Sequence, residues 1–231
     1  DGKILMQILH AGRYGYHPFV VSASNIKSPI SMFKPRAMTE KEVLKTISDY
    51  GRCAKLAKLA NYDGVELMGS EGYMLNQFIC SRTNNRKDQW GGSLENRMRL
   101  PIEIVKQVRK EVGKNFIIAY RLSLIDLVEG GNSWDEIVLI AKELESAGIT
   151  ILNTGIGWHE ARVPTIVTSV PRAAFREVTA RMKKELTIPV MASNRINTPE
   201  DGESIVANGD ADLISMARPL LADAYFVSKA A

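Results

Sequence analysis

Cysteine is scarce in this sequence. Only two of the 231 residues are cysteine, Cys53 and Cys80. Two isolated thiols supply neither a disulfide framework nor the short Cys/His spacings of a zinc site. No metal site is therefore expected, and the low cysteine usage fits a reducing, cytoplasmic compartment. Long apolar runs are absent too. Nothing approaches the roughly 20 residues of a membrane-spanning helix, so no membrane partner is expected. The 17 glycines and 9 prolines follow no period, which excludes collagen-like and low-complexity chains. Charge of one sign is also lacking. Lys plus Arg is 30 and Asp plus Glu is 26, a net charge of +4. The two signs interleave, as in KEVLKTISDYGRCAKLAK, which reads as a solvated helix face rather than a nucleic-acid stripe. The chain opens on Asp1 with neither an initiator Met nor a secretory leader pattern, and reads as part of a longer polypeptide.

What is present is an alternation of strands and helices. Ile4 to Leu9 is a short apolar run of strand length. An irregular stretch from His10 to Met38 follows. Thr39-Glu40-Lys41-Glu42 is a capping box that opens a helix, which Asn61 and Asp63-Gly64 stop. Further strands are predicted at Val65–Met68, Phe116–Leu122, Ile149–Asn153, Pro189–Ala192 and Asp212–Met216. Helices are predicted at Glu95–Val112, Trp134–Ala147, Pro171–Leu186, after Thr198-Pro199, and near Pro219. About six βα units in one composition mean a parallel α/β sheet, either doubly wound or closed as a barrel. A (β/α)8 barrel needs eight strands, so six suggest such a barrel with two strands absent.

The unusual residues follow the strands. Gln7 and His10 follow the first, Gly69-Ser70-Glu71-Gly72-Tyr73 the second, Arg121 ends the third, and Gly155-Ile156-Gly157-Trp158-His159 follows the fourth. Asn194-Arg195 and Ala217-Arg218 follow the fifth and sixth. In a barrel these ends converge on one face, and the loops after the last two strands commonly hold phosphate. Arg195 and Arg218 suit that role, because Arg pairs with phosphate through parallel donors. Arg121, at the end of an apolar strand, needs an anionic partner, with Asp126 and Glu66 as protein alternatives to a bound anion. Tyr73 is a phenol of ordinary pKa about 10 and can act as a general acid. His159 belongs to the residue type that relays protons near neutral pH.

The segment GSEGYMLNQFICSRTNNRKDQWGGSLENRMR, Gly69 to Arg99, resembles the old yellow enzyme flavin barrels, as do QILHAGR, YRLS and SMARP. NTGIGWHEARVPTI, Asn153 to Ile166, resembles in particular the flavin domain of bacterial NADPH-dependent 2,4-dienoyl-CoA reductases. The resemblance covers Lys3 to Lys229. It implies a TIM (β/α)8 barrel that carries FMN and is present from about strand three onward, with the first two strands missing. Residues 1–231 would form one FMN-binding barrel domain fragment. The Fe–S segment with its [4Fe-4S] cluster and the FAD- and NADPH-binding domains of such enzymes would lie outside it.

The resemblance also implies roles. Gln7, Arg121, Arg195, Ala217 and Arg218 would bind FMN, with Gln7 pairing the flavin pyrimidine and Arg121 facing N1 and O2. Tyr73, assisted by His159, would deliver a proton. Glu160, Ala161 and Arg162 would contact an acyl-CoA thioester. His10 would be scaffold for the flavin loop. Met68 and Glu71 stand where many relatives carry the two donors of a carbonyl clamp, which argues against simple cyclic enones. The alternatives are another enone, enoate or amine-oxidising flavoprotein of the family, or a catalytically incomplete barrel fragment.

Overall fold

The computed structural model describes residues 2–230. Six strands form one sheet: β1 (Leu5–Ile8), β4 (Gly64–Gly69), β5 (Ile117–Ile125), β6 (Ile151–Ile156), β7 (Val190–Ala192) and β8 (Leu213–Ile214). They pair in the order β1-β4-β5-β6-β7-β8, every pair parallel. A doubly wound sheet reverses its order at a switch point. This order never reverses, so the sheet is six strands of a (β/α)8 barrel. A separate two-stranded ribbon, β2 (Val21–Ser22) with β3 (Arg36–Ala37), lies in the long loop after β1.

The helices between the sheet strands cover its outer face. They are α1 (Glu40–Leu59), α2 (Met74–Ile79) and α3 (Leu94–Val112), then α4 (Trp134–Ala147), α5 (Arg176–Lys183) and α6 (Pro199–Ala207). Two short helices, α7 (Arg218–Ala222) and α8 (Phe226–Ala230), follow β8. Val65, Leu67, Ile118, Tyr120, Leu122 and Leu152 point outward and are fully buried with Val43, Ile104, Val105, Ile137, Ile140 and Leu144. The period of two then turns Glu66, Met68, Arg121, Ser123 and Asn153 to the barrel interior. The core therefore lies between sheet and helices, and the interior face carries polar chemistry.

Local signals set the helix starts. Thr39 and Glu42 form the expected capping box of α1, and Ser133 and Glu136 form a second at α4. Gly113 and Gly148 end α3 and α4 at positive φ. Several elements differ from the sequence reading, among them β5, which runs to Ile125 rather than Leu122 and places Arg121 within the strand instead of at its end. The helix expected from Pro171 starts only at Arg176, because residues 171–175 form turns with Ala173 at φ 51°. The fourth sheet strand runs to Ile156 rather than ending at Asn153, since its hydrogen-bonded register with β5 continues to Ile125. α2, directly after Tyr73, was not anticipated.

Candidate active site

Two adjoining cavities open where the strands end. One, of about 150 Å³, is lined by Glu71, Arg121, Asn194, Arg195, Ala217 and Arg218 among others. The other, of about 130 Å³, is lined by Glu71, Gly157, Trp158, His159, Thr165 and Asn194 among others. Glu71 and Asn194 border both. Four of the five residues expected to bind FMN thus meet in one cavity.

The loop after β4 is built for close approach. Glu71 and Gly72 take positive φ of 62° and 84°. A Cβ on Gly72 would lie 2.5 Å from the Tyr14 hydroxyl and 2.6 Å from Cε3 of Trp158. The backbone N–H of Gly72 donates to Asn76 Oδ1 at 2.9 Å, and that of Glu71 donates to the Ser123 hydroxyl at 3.0 Å. The loop after β6 is fixed against it. His159 N–H donates to the Glu71 carbonyl at 3.2 Å, and the Trp158 indole N–H donates to buried Asp126 at 2.7 Å. Gly72→Ala is expected to cost about 1–3 kcal/mol through backbone strain alone. It should also slow the chemistry by pushing the two loops apart, which thermal denaturation and rapid-mixing kinetics of the same variant would read.

These loops bring Tyr73 and His159 together. The Tyr73 hydroxyl and His159 Nε2 are 2.9 Å apart, with ring centroids at 5.1 Å and 79°. Burial, then the charge of Glu71, raises the Tyr73 phenol above its ordinary pKa. Tyr14, which sequence reading passed over, stands edge-on to both rings at 5.9 Å and 5.8 Å. His10 ties the loop after β1 to the start of α2. Its Nδ1 accepts from the Gly12 N–H at 3.0 Å, its carbonyl accepts from Met74 N–H at 3.0 Å, and burial lowers its pKa.

Arg121 pairs with neither Asp126 nor Glu66. Its Nη2 bonds Glu71 Oε1 at 2.9 Å, and its Nε is buried with no partner. Asp126 instead serves Trp158 and Asn132, and Glu66 accepts from Gln7 at 2.7 Å and Asn153 at 2.6 Å. Gln7 is exposed within edge strand β1 instead of following it, and it lines neither cavity. The strand register places it one layer below Arg121 on the same interior face. Arg195 is buried, and its Nε donates to the Val170 carbonyl at 2.8 Å. Arg218 donates to the Ile166 carbonyl at 2.6 Å. Their remaining guanidinium N–H groups have no protein acceptor among the described residues. Asn194 and Arg195 hold positive φ of 66° and 62°, a strained turn that Asn tolerates better than most residues. Three guanidiniums against one carboxylate, with an orphaned Arg121 Nε, leave this cavity suited to an anionic group such as a flavin phosphate.

Glu160 requires a correction. Its carboxylate is fully buried, bonded to Arg13, to Tyr14 at 2.9 Å, to Ser28 at 2.9 Å and to Arg82 at 3.1 Å. Buried and committed to these four donors, the side chain is not available to a substrate. Ala161 is half-buried and Arg162 exposed, and neither lines the two cavities.

Residues 1–231 match the NADH:flavin oxidoreductase / NADH oxidase family throughout. The chain belongs to that family. It is 37% identical over 232 residues to a metal reductase of Desulforamulus reducens, covering 99% of this chain and 35% of the relative. Among solved structures of similar fold is a 2-naphthoyl-CoA reductase in complex with 2-naphthoyl-CoA. The two match with a TM-score of 0.93 at 35% identity, over 96% of this chain and 36% of that one. An old yellow enzyme homologue from Zymomonas mobilis matches with a TM-score of 0.82 at 25% identity, over all of this chain and 68% of that one. Family membership agrees with the barrel topology and with the flavin expectation drawn from the sequence. The chain spans 35% to 36% of the length of two curated relatives that it matches.

Proposed function

We propose that this chain is the FMN-binding barrel of an NADPH-dependent reductase of conjugated C=C bonds in acyl-CoA thioesters, with 2,4-dienoyl-CoA as its substrate. One observation carries the reading. The Tyr73 phenol lies 2.9 Å from His159 Nε2, beside the arginine-lined cavity. Arg121, Arg195 and Arg218 would hold FMN there, and the bound flavin would supply the hydride taken up by the diene. Tyr73 gives its phenolic proton to the acyl chain, and His159 Nε2, hydrogen-bonded to the same oxygen, replaces that proton. Glu71 Oε2, 3.9 Å from His159 Nε2, supports positive charge on the imidazole as the proton passes. One hydride and one proton convert the dienoyl-CoA to an enoyl-CoA.

In this reading the electrons would come from NADPH through FAD and a [4Fe-4S] cluster on further parts of the polypeptide. That arrangement is in keeping with its matching 36% of the naphthoyl-CoA reductase. The CoA thioester bound by that relative favours the thioester class here. Met68 supports the same choice. It is buried at the position of the usual carbonyl clamp and offers a thioether where simple enones need a donor. Exposed Arg162 and the neighbouring Ala161 are the proposed contacts for the CoA end.

The test is a substrate panel on the full-length enzyme: 2,4-dienoyl-CoA, the free dienoic acid, cinnamate and a cyclic enone. The dienoyl-CoA should be turned over fastest, with a product two mass units heavier. Faster turnover of the free acid or the cyclic enone would contradict the thioester assignment.

A further inference from the structure

We propose that Glu160 is a positioning residue for the Tyr73–His159 pair. This rests on the proton-delivery reading above. Glu160 directly follows His159 in the chain, yet its carboxylate points away from the cavities and is fully buried. It gathers donors from three distant segments: Arg13 and Tyr14, then Ser28, then Arg82. Arg13 is itself buried, with its guanidinium 5.8 Å over the Tyr14 ring and 5.7 Å over the Trp158 ring.

The consequence reaches the acid through Tyr14. Burial and the charge of Glu160 hold the Tyr14 phenol protonated, so it is a permanent donor to that carboxylate. This bond fixes the ring whose edges meet Tyr73 and His159. The Tyr14 hydroxyl also fills the space that a Cβ on Gly72 would need. One buried charge therefore sets both walls of the proton-donor pair: the backbone of the His159 loop directly, and the Tyr14 ring by hydrogen bond.

The experiment uses the full-length holoenzyme and follows the two half-reactions by flavin absorbance. Glu160→Gln should retain flavin and reduce normally with NADPH. Its reoxidation by 2,4-dienoyl-CoA should slow about 10- to 100-fold, the scale of losing catalytic alignment. Tyr14→Phe, which removes one hydroxyl and keeps the ring, should slow the same half-reaction about 3- to 10-fold. In a Tyr73→Phe background, Glu160→Gln should add little, because it acts through the pair. Equal slowing of both half-reactions, loss of flavin, or an undiminished effect in the Tyr73→Phe background would overturn the proposal. Should Glu160→Gln fail to fold, Tyr14→Phe decides by the same criteria. A second readout needs no substrate. The Nε2 resonance of His159, assigned by its loss in His159→Ala, should move in Glu160→Gln and Tyr14→Phe toward its position in Tyr73→Phe. An unmoved resonance contradicts positioning even if the substrate assignment is wrong. A wild-type enzyme that ignores the dienoyl-CoA contradicts only the substrate assignment.

Discussion

Tyr73→Phe should leave flavin reduction by NADPH near normal and slow reoxidation by dienoyl-CoA about 10²- to 10⁴-fold, the usual cost of losing a general acid. Phe keeps the ring that packs edge-on against Tyr14 and His159, so only the acid is removed. Burial and Glu71 raise the Tyr73 pKa above that of a free phenol, about 10. The proton is thus in place throughout the neutral range, and the wild-type oxidative half-reaction should keep this acid to a higher pH than a free phenol would. His159→Ala should slow the same half-reaction. Combined with Tyr73→Phe it should cost less than the product of the single losses, since the pair serves one proton transfer. Fully multiplicative losses in rapid-mixing kinetics would mean independent roles.

Arg121→Ala should weaken flavin binding about 10- to 100-fold. A charge-assisted hydrogen bond contributes roughly 1.5–3 kcal/mol, and 1.4 kcal/mol is tenfold in affinity. The remaining flavin should be harder to reduce, because the cation beside the pyrimidine is gone while Glu71 stays in the cavity without its partner. Its potential should fall by about 30 mV for each 1.4 kcal/mol by which Arg121 favours the reduced over the oxidised flavin. Flavin content by absorbance and potential by dye-linked titration would measure the two effects. A variant with wild-type content and potential would remove Arg121 from the flavin site.

Much of the fold was legible because its determinants are local. The capping boxes at Thr39 and Ser133 each involve residues three apart, so a short window shows them. The alternation of strands and helices then admits few topologies, and the unbroken strand order selects the barrel. The departures arise from distant contacts. The β2–β3 ribbon joins Val21 to Arg36 across an irregular loop that no periodicity marks. Residues 171–175 leave the helix for turns in which Ala173 N–H donates to the Arg195 carbonyl.

The site divides in the same way. Tyr73, His159, Arg195 and Arg218 could be singled out because each follows a strand, and Arg121 because it is a cation on an apolar strand. The resemblance implies a substrate contact for Glu160, while what commits its side chain lies 147 residues away at Arg13 and 78 away at Arg82. Arg121 likewise found its partner, Glu71, 50 residues back rather than at Asp126 or Glu66. A sequence shows which residues carry charge. Folding determines which charges neutralise each other and which stay open to a ligand.

The most direct test is a single turnover. The full-length enzyme, reduced anaerobically with one equivalent of NADPH, is mixed with excess 2,4-dienoyl-CoA while flavin absorbance is recorded. The account predicts full recovery of the oxidised spectrum, with one enoyl-CoA formed per NADPH added. A spectrum that stays reduced, with the dienoyl-CoA recovered unchanged, would contradict it.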